Sequence, residues 1–219
     1  MNKGQSVLKS GVTLAAIAAI CTALVAATYQ LTVDRIADND KALLEQSLEP
    51  VLAGMSYDSG LSESRLVIAP PHDLPGSEAA LIYRVFDDGE PVAALIAMTA
   101  RDGFSGSIRI LVGIDVDGVV TGVRILQHRE TPGLGDKIES KRSNWIHQFE
   151  RRSLVDPEMT AWAIKRDGGD FDQLTGASIT PRAVIGALRD TLVYFDAHRD
   201  EIFAEPATIF AEPAGGDGS

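Results

Sequence analysis

The chain has 219 residues, enough for one membrane segment and one domain with a sizeable core but too few for a second full domain. Its formal net charge of −11 argues against a nucleic-acid partner, because binding to a phosphate backbone needs a basic surface. The single cysteine, Cys21, allows neither an internal disulfide nor a thiolate-held cluster, so redox chemistry would require a cofactor held by other side chains.

The first predicted element is a single transmembrane helix. No charged residue occurs between Lys9 and Asp34, and residues 11–29 are almost wholly apolar. About 20 helical residues cover the hydrocarbon layer of a bilayer, which is roughly 30 Å thick. Lysines precede this run and aspartates follow it, so the positive-inside rule predicts a single-pass protein with its N-terminus in the cytoplasm and the rest of the chain on the other side of the membrane. A cleavable signal peptide with a processing site at 25–27 is the alternative.

The next elements predict an antiparallel sheet. Apolar spacing predicts a helix over Asp34–Leu52, and the proline-containing stretch 56–77 predicts an irregular connection. Four β-rich runs then flank two Asp-Gly turns, at 88–89 and 117–118, which predicts two hairpins. The runs are Leu81–Phe86, Val92–Ala100, Ile108–Ile114 and Val119–Leu126.

The last part of the chain adds helices to this sheet. We predict a helix over Ser140–Phe149, a strand over Thr160–Lys165, a turn at 166–170 and a final helix from Pro181 to about Phe203. The fold class is therefore α+β, with one transmembrane helix followed by an antiparallel-sheet domain. The predicted division of the chain is a cytoplasmic stub and transmembrane helix (1–33), a helical and irregular connection (34–80), an extracytoplasmic domain (81–200) and a flexible tail (201–219).

The segment 168–182 (GGDFDQLTGASITPR) is the most informative for function. Pro181 suits the first turn of a helix and Thr180 suits its N-cap, so a helix N-terminus is predicted here. Unpaired backbone N–H groups and the helix dipole at such a terminus favour a phosphate. Gly176 leaves the approach open, and Ser178 offers a hydroxyl. Taken alone, a capped helix behind a small-residue turn is the commoner explanation of so short a pattern.

The same residues resemble a known modification motif. Thr175-Gly176-Ala177-Ser178-Ile179-Thr180, preceded by Asp172, is similar to the flavinylation motif of the FMN-binding domain family, which is Asp followed by Ser/Thr-Gly-Ala-Ser/Thr-x-Ser/Thr. In that family a flavin transferase joins the phosphate of FMN to the hydroxyl that follows Gly-Ala. The resemblance thus implies FMN attached covalently to Ser178. The family's usual acceptor is threonine, so Thr180 stays open as the alternative acceptor.

The resemblance extends over nearly the whole chain. An apolar N-terminus, the segment 102–106 (DGFSG), the loop 130–137 (ETPGLGDK) and the segment 168–172 (GGDFD) follow one another as in the G subunits of Rnf electron-transport complexes. More distantly, the chain is similar to the C subunits of sodium-pumping NADH:quinone reductases. The implied function is electron relay through FMN within an ion-translocating ferredoxin:NAD oxidoreductase, with no catalysis by this subunit alone. The implied partners are the other Rnf subunits and, during maturation, the flavin transferase. The implied location is the bacterial inner membrane, with a single pass and the bulk of the chain on the periplasmic side.

The resemblance also implies that the loop 130–137 lines the flavin pocket. Its Thr-Pro-Gly-Leu-Gly core is a rigid turn that lets backbone approach a flat ring, and Lys137 would stabilise a reduced flavin anion. A plain connection without a special role is the alternative for this loop. The implied cofactor-binding residues are Glu130, Thr131, Leu134, Gly135, Lys137, Thr175, Gly176, Ala177, Ser178 and Thr180.

Other classes of protein fit the sequence less well. A serine hydrolase would need a base near Ser178, and no histidine has a spacing that nominates one. A calcium site at Asp167, Asp170 and Asp172 lacks the EF-hand register with its closing Glu, so no metal site is predicted. The alternative function is a cofactor-free structural or sensor subunit anchored in the inner membrane. It predicts no flavin on the protein.

Overall fold

The computed structural model describes residues 11–12, 14–22, 51–52, 54–58 and 64–204. In the first of two compact units, residues 1–46, the described residues are helical. No helix within the described residues is both long enough and apolar enough to cross a membrane. The predicted span is described only in part. The predicted helix over 34–52, apart from its last two residues, and the tail beyond residue 204 lie outside the described residues.

The second compact unit, residues 47–219, is built on a five-stranded antiparallel sheet. Each strand pairs with the next one in the chain. The two predicted hairpins are confirmed, and Gly89 and Gly118 at their turns have φ of 82° and 83°, which glycine adopts without strain. The strands are β1 (Arg65–Ile68), β2 (Ala80–Asp87), β3 (Glu90–Ala100), β4 (Ile108–Asp115) and β5 (Val120–Gln127).

Strand β1 corrects the prediction of an irregular connection over 56–77. Leu66 and Ile68 are buried and Arg65 is exposed, as in an edge strand with one face on the core. Pairing with β2 places Ile68 opposite Ala80. A run of four residues is too short to show the alternation of buried and exposed residues that predicts a strand. Only the pairing with β2 identifies these residues as a strand.

One face of the sheet is covered by the long helix α1 (Ile179–Phe203). The apolar stripe predicted for this helix is confirmed, and it shares one core cluster with buried residues of the sheet such as Ile96 and Ile110. Each fully buried side chain of this kind stabilises the fold by about 1.5–3 kcal/mol. The helix begins two residues before the predicted Pro181. The buried stripe consists of Val184, Ile185, Leu188, Leu192 and Phe195.

The opposite face of the sheet holds the chain that precedes β1. Gly113 and Gly122 are paired across β4 and β5 and leave a notch into which Val51 fits. A Cβ atom at Gly122 would lie 3.0 Å from both the Cα atom and the carbonyl oxygen of Val51. The hydroxyl of Thr121 donates a hydrogen bond of 2.8 Å to that carbonyl. Only glycine permits so close an approach of two backbones, so this notch fixes residue 51 on the sheet.

Between β5 and α1 the described chain is built of short 3-10 turns. The predicted helix over 140–149 is wrong, since only Trp145–Phe149 is helical and it is a 3-10 turn. The Ser143 hydroxyl donates to the Lys137 carbonyl at 2.6 Å and accepts the Trp145 N–H at 3.1 Å. These local side-chain bonds replace the helical backbone bonds. The 3-10 turns are Gly135–Ile138, Trp145–Phe149, Met159–Ala161 and Lys165–Asp167.

The predicted strand over 160–165 is also wrong. Trp162 and Ile164 are buried while the residue between them is half-buried, which is the alternation that predicted a strand. Ile164 makes only an isolated bridge, to Phe171. The buried side chains instead pack against other aromatic residues, and the ring centroids of Trp162 and Phe171 are 4.8 Å apart. The predicted turn at 166–170 is confirmed, and Gly168 ends a 3-10 turn there with a φ of 89°.

Candidate functional site

The predicted acceptor motif forms a tight turn that leads into α1. Thr175 and Gly176 are exposed at the tip of this turn, and Gly176 has a φ of 82°. The N–H of Ala177 donates to the carbonyl of Leu174 at 3.1 Å and closes the turn. The following residue, Ser178, thereby comes to the first position outside the helix.

Ser178 occupies the N-cap position of α1. Its φ is −96° and its ψ is −24°, and within the described part of the chain its side chain makes no capping hydrogen bond. Its carbonyl accepts the N–H of Arg182 at 3.4 Å, which is the first bond of the helix. The N–H groups of the first turn have no acceptor inside the helix, and Pro181 has no N–H. The half-buried Ser178 therefore stands at the positive end of the helix dipole, next in the chain to N–H groups that have no acceptor within the helix.

Thr180 is not the N-cap, and this corrects the prediction. It lies inside the first turn of α1, its exposed fraction is 0%, and its hydroxyl donates to Oε2 of Glu130 at 2.5 Å. The prediction failed because the helix begins at Ile179 and because the partner of the hydroxyl comes from a distant loop. Of the two hydroxyls in the Ser-Ile-Thr sequence, only that of Ser178 reaches the surface.

Glu130 connects three segments of the site. Its side chain belongs to a residue only 5% exposed, and its other oxygen, Oε1, accepts the N–H of Ser105 at 3.0 Å. Two glycines make room for the carboxylate. A Cβ atom at Gly103 would lie 2.9 Å from Oε1, and one at Gly135 would lie 2.7 Å from Oε2. The segment 102–106, the loop 130–137 and the start of α1 therefore meet at one buried carboxylate.

The loop 130–137 is a compact turn next to the acceptor motif. The carbonyl of Thr131 accepts the N–H groups of Leu134 and Gly135, each at 3.1 Å. The Cδ2 atom of Leu134 would lie 3.0 Å from a Cβ atom at Gly176, so the two turns are adjacent. Lys137 follows in a 3-10 turn and is half-buried. The structure thus brings Glu130 and Leu134 of this loop close to Thr180 and Gly176 of the acceptor motif.

Large apolar side chains are exposed on each of the three segments that Glu130 connects. Phe104 is 66% exposed, Leu134 is 42% exposed and Ile179 is 46% exposed. Exposed aromatic and aliphatic side chains near one another are a common feature of binding surfaces. Phe104 was not among the predicted site residues, although its segment was noticed. Its position in the sequence DGFSG was the only available signal.

The chain just before the acceptor turn is held at Asp172. Its carboxylate accepts a hydrogen bond of 2.7 Å from Nζ of Lys165, and its backbone N–H donates to Oε1 of Gln148, also at 2.7 Å. Its carbonyl accepts the indole N–H of Trp145 at 2.6 Å. The ion pair is exposed and contributes little to stability, so the hydrogen bonds of the Asp172 backbone mainly fix this segment. Nothing in the sequence pattern pointed to Trp145 or Gln148.

A second link joins the turn at 166–170 to α1. Arg182 donates to both carboxylate oxygens of Asp167, from Nε at 2.6 Å and from a terminal nitrogen at 2.9 Å. The hydrogen bond from the guanidinium holds the pKa of Asp167 below its usual range, against a smaller opposing effect of desolvation. The same bond raises the pKa of Arg182. This pair of hydrogen bonds, the Asp167–Arg182 fork, therefore favours the ionised Asp167 carboxylate and the protonated Arg182 guanidinium.

His128 fixes the start of the loop. The N–H of Glu130 donates to Nδ1 of His128 at 3.0 Å, so the other ring nitrogen carries the proton of the neutral ring. That nitrogen, Nε2, lies 2.6 Å from Oε1 of Glu139 and donates to it. His128 therefore serves the conformation of the loop.

The matched families agree with this architecture. Residues 103–193 match the FMN-binding domain family, and residues 1–51 match the RnfG N-terminal region. The first range contains the Glu130 loop, the acceptor turn and most of α1. An antiparallel sheet backed by a helix that carries the acceptor motif at its N-terminus is thus a domain of the FMN-binding class.

Similar proteins extend the match to nearly the full chain. A protein of Shewanella amazonensis, named as the G subunit of an ion-translocating oxidoreductase complex, is 41% identical over 92% of this chain and 94% of its own length. Proteins of the same name from Shewanella loihica and Vibrio parahaemolyticus are 40% and 41% identical over 93% and 92% of this chain, and over 96% and 95% of their own lengths. The chain belongs to the family of G subunits of ion-translocating oxidoreductase complexes. The resemblance inferred from the motifs is confirmed.

Proposed function

We propose that this chain carries electrons within an ion-translocating oxidoreductase complex through an FMN joined by its phosphate to Ser178. The observation that carries this proposal is the difference in burial and hydrogen bonding between the hydroxyls of Thr180 and Ser178. Thr180 is 0% exposed and donates to Glu130, whereas Ser178 is half-buried and makes no capping bond within the described residues. Of these two hydroxyls, a transferase can therefore reach only that of Ser178. The fold and family support a carrier role, in which the subunit is not catalytic by itself.

The residues around Ser178 fit the phosphate of FMN. A phosphoester at this position would place its negative charge at the positive end of a helix of 25 residues. The N–H groups of Ile179 and Thr180, which have no acceptor within the helix, are the donors nearest to that position in the chain. Gly176 and Ala177 keep bulk away from it, and Thr175 adds a hydroxyl in the exposed turn.

The surrounding loops fit the flat ring of the cofactor. When bound, FMN supplies one- and two-electron redox chemistry at its isoalloxazine ring. Leu134 and Phe104 offer exposed apolar surface on the two loops, and the bonds of the Thr131 carbonyl to the Leu134 and Gly135 N–H groups hold the turn that presents Leu134. Lys137 supplies the cation of the loop and would offset negative charge on a reduced ring.

We also propose the membrane arrangement. Residues 1–33 would anchor the chain with its N-terminus in the cytoplasm, 34–80 would connect, and 81–200 would form the periplasmic flavin domain, followed by the tail 201–219. In the periplasm a dissociated FMN would be lost to the cytoplasm, so a covalent bond suits this location. The partners are the other subunits of the complex and the flavin transferase.

Mass spectrometry of the attachment peptide tests the proposal. The protein is produced with a flavin transferase, separated on a denaturing gel and examined for fluorescence, and the tryptic peptide 167–182 is weighed. We expect flavin on the unmutated chain and on Ser178→Thr, and none on Ser178→Ala. Flavin retained in Ser178→Ala and lost in Thr180→Ala would move the site. An unmutated chain without flavin would contradict the carrier function and favour the cofactor-free subunit.

A further inference from the structure

We infer that Glu130 is a positioning residue for the flavin-acceptor hydroxyl and not itself a flavin ligand. This inference rests on the proposed attachment at Ser178. It assigns to Glu130 the task of holding the first turn of α1, and with it Ser178, in the orientation that a transferase modifies. Glu130 then acts through Thr180 and is not a polar group that faces the cofactor.

The first argument is that both carboxylate oxygens are occupied inside the protein. Oε2 accepts the Thr180 hydroxyl and Oε1 accepts the Ser105 N–H, in a residue only 5% exposed. The Cβ positions of Gly103 and Gly135 lie within 3 Å of these oxygens, so the glycines close the space around the carboxylate. Little of the group is left to meet a cofactor from outside.

The second argument concerns charge. A buried carboxylate is costly unless donors surround it. Here the donors are a hydroxyl and a backbone N–H, and the start of α1 adds the positive end of its dipole. Each oxygen of the buried Glu130 carboxyl group thus has a donor of its own. Because Thr180 is two residues from Ser178, the bond to Thr180 determines where the turn that bears Ser178 lies.

A glutamine at this position should be a poor substitute. If its carbonyl accepts the Ser105 N–H, its amide can only donate to the Thr180 oxygen, and the Thr180 hydroxyl proton loses its acceptor. In the other orientation the amide faces the Ser105 N–H, and that donor loses its acceptor. Either way one buried donor is left without its partner, and the link between the segment 102–106 and α1 is weakened. Thr180→Val should act in the same way from the other side, whereas Thr180→Ser keeps a hydroxyl in place.

The test is the rate at which purified transferase attaches flavin to folded, full-length apoprotein in detergent. We expect Glu130→Gln and Thr180→Val each to lower the rate by about ten-fold or more, as loss of a hydrogen bond to a charged group implies. The double variant should be no slower than Glu130→Gln, because both changes remove one interaction. Thr180→Ser should restore the rate, and the exposed control Glu150→Gln should leave it unchanged.

The outcomes separate the two proposals. Rates are compared only for monodisperse protein with an unchanged circular dichroism spectrum, and Thr180→Val replaces Glu130→Gln should the latter fail to fold. Normal labelling of folded Glu130→Gln or Thr180→Val, with only a lower melting temperature, would reduce Glu130 to a structural residue and overturn the inference. An unmutated chain that accepts no flavin would overturn the proposed function as well.

Discussion

Thr180 donates its hydroxyl proton to the buried carboxylate of Glu130, a residue 50 positions earlier in the chain. This bond ties the N-terminus of α1 to the loop that follows β5. It also places Thr180, the predicted N-cap, in the core, and Ser178 stands at the N-cap position instead. The Thr180 hydroxyl should therefore contribute to stability through Glu130, and the Ser178 hydroxyl should contribute little.

We predict that Thr180→Ala lowers the free energy of unfolding by about 1.5–3 kcal/mol, because it leaves the buried Glu130 carboxylate without one donor. Ser178→Ala should change it by less than about 0.5 kcal/mol, since no capping bond is lost. Urea unfolding of both apoproteins, followed by circular dichroism, gives the comparison. A larger loss in Ser178→Ala than in Thr180→Ala would show that the Ser178 hydroxyl makes a stabilising bond and would contradict the structure.

Two glycines should respond differently to the same substitution. Gly122→Ala places a Cβ atom 3.0 Å from the backbone of Val51, so we predict a loss of about 1–3 kcal/mol from overpacking. Gly186→Ala is the matched control, because its Cβ atom would meet nothing within 4 Å in the middle of α1. That variant should gain about 0.5–1 kcal/mol from helix propensity. Equal melting temperatures for the two variants would argue against the notch.

The Asp167–Arg182 fork predicts a pH dependence. The pKa of Asp167 is lowered in the folded state, so its contribution to stability is present above the pKa of the unfolded chain and is lost as pH falls through the folded pKa. Arg182→Gln should raise the Asp167 pKa toward its ordinary value, which carbon-detected NMR titration of the carboxyl would show. Because the pair is exposed, we expect only a small change in stability. An unchanged titration would show that the fork does not persist in solution.

The proposed topology predicts opposite results from two fusions. Alkaline phosphatase is active only after export, so a fusion after Phe195 should be active and a fusion before Lys9 should be inactive. Immunoblots for equal amounts of the two fusions provide the control. The reverse pattern would place the flavin domain in the cytoplasm and remove the argument for retaining FMN by a covalent bond.

The elements that short sequence patterns specify could be predicted from the sequence. The hairpins β2–β3 and β4–β5 were predicted because Asp-Gly turns and flanking β-branched runs act over short distances. The apolar stripe of α1 and the acceptor motif were also readable, since both are contiguous. The stretch 140–165 was misread because buried aromatic residues there mimic helical and strand periods while local side-chain bonds set the backbone.

The sequence by itself determined the family, the antiparallel sheet and a Ser-Ile-Thr segment with two candidate hydroxyls. Only the tertiary structure decided which hydroxyl is buried and that Glu130 is its hydrogen-bond partner. It also decided that Gly113 and Gly122 form the notch into which Val51 fits. The physical reason is separation along the chain. Turn and helix preferences act between near neighbours, whereas the burial of a side chain and the acceptor of its hydrogen bond depend on segments that only folding brings together.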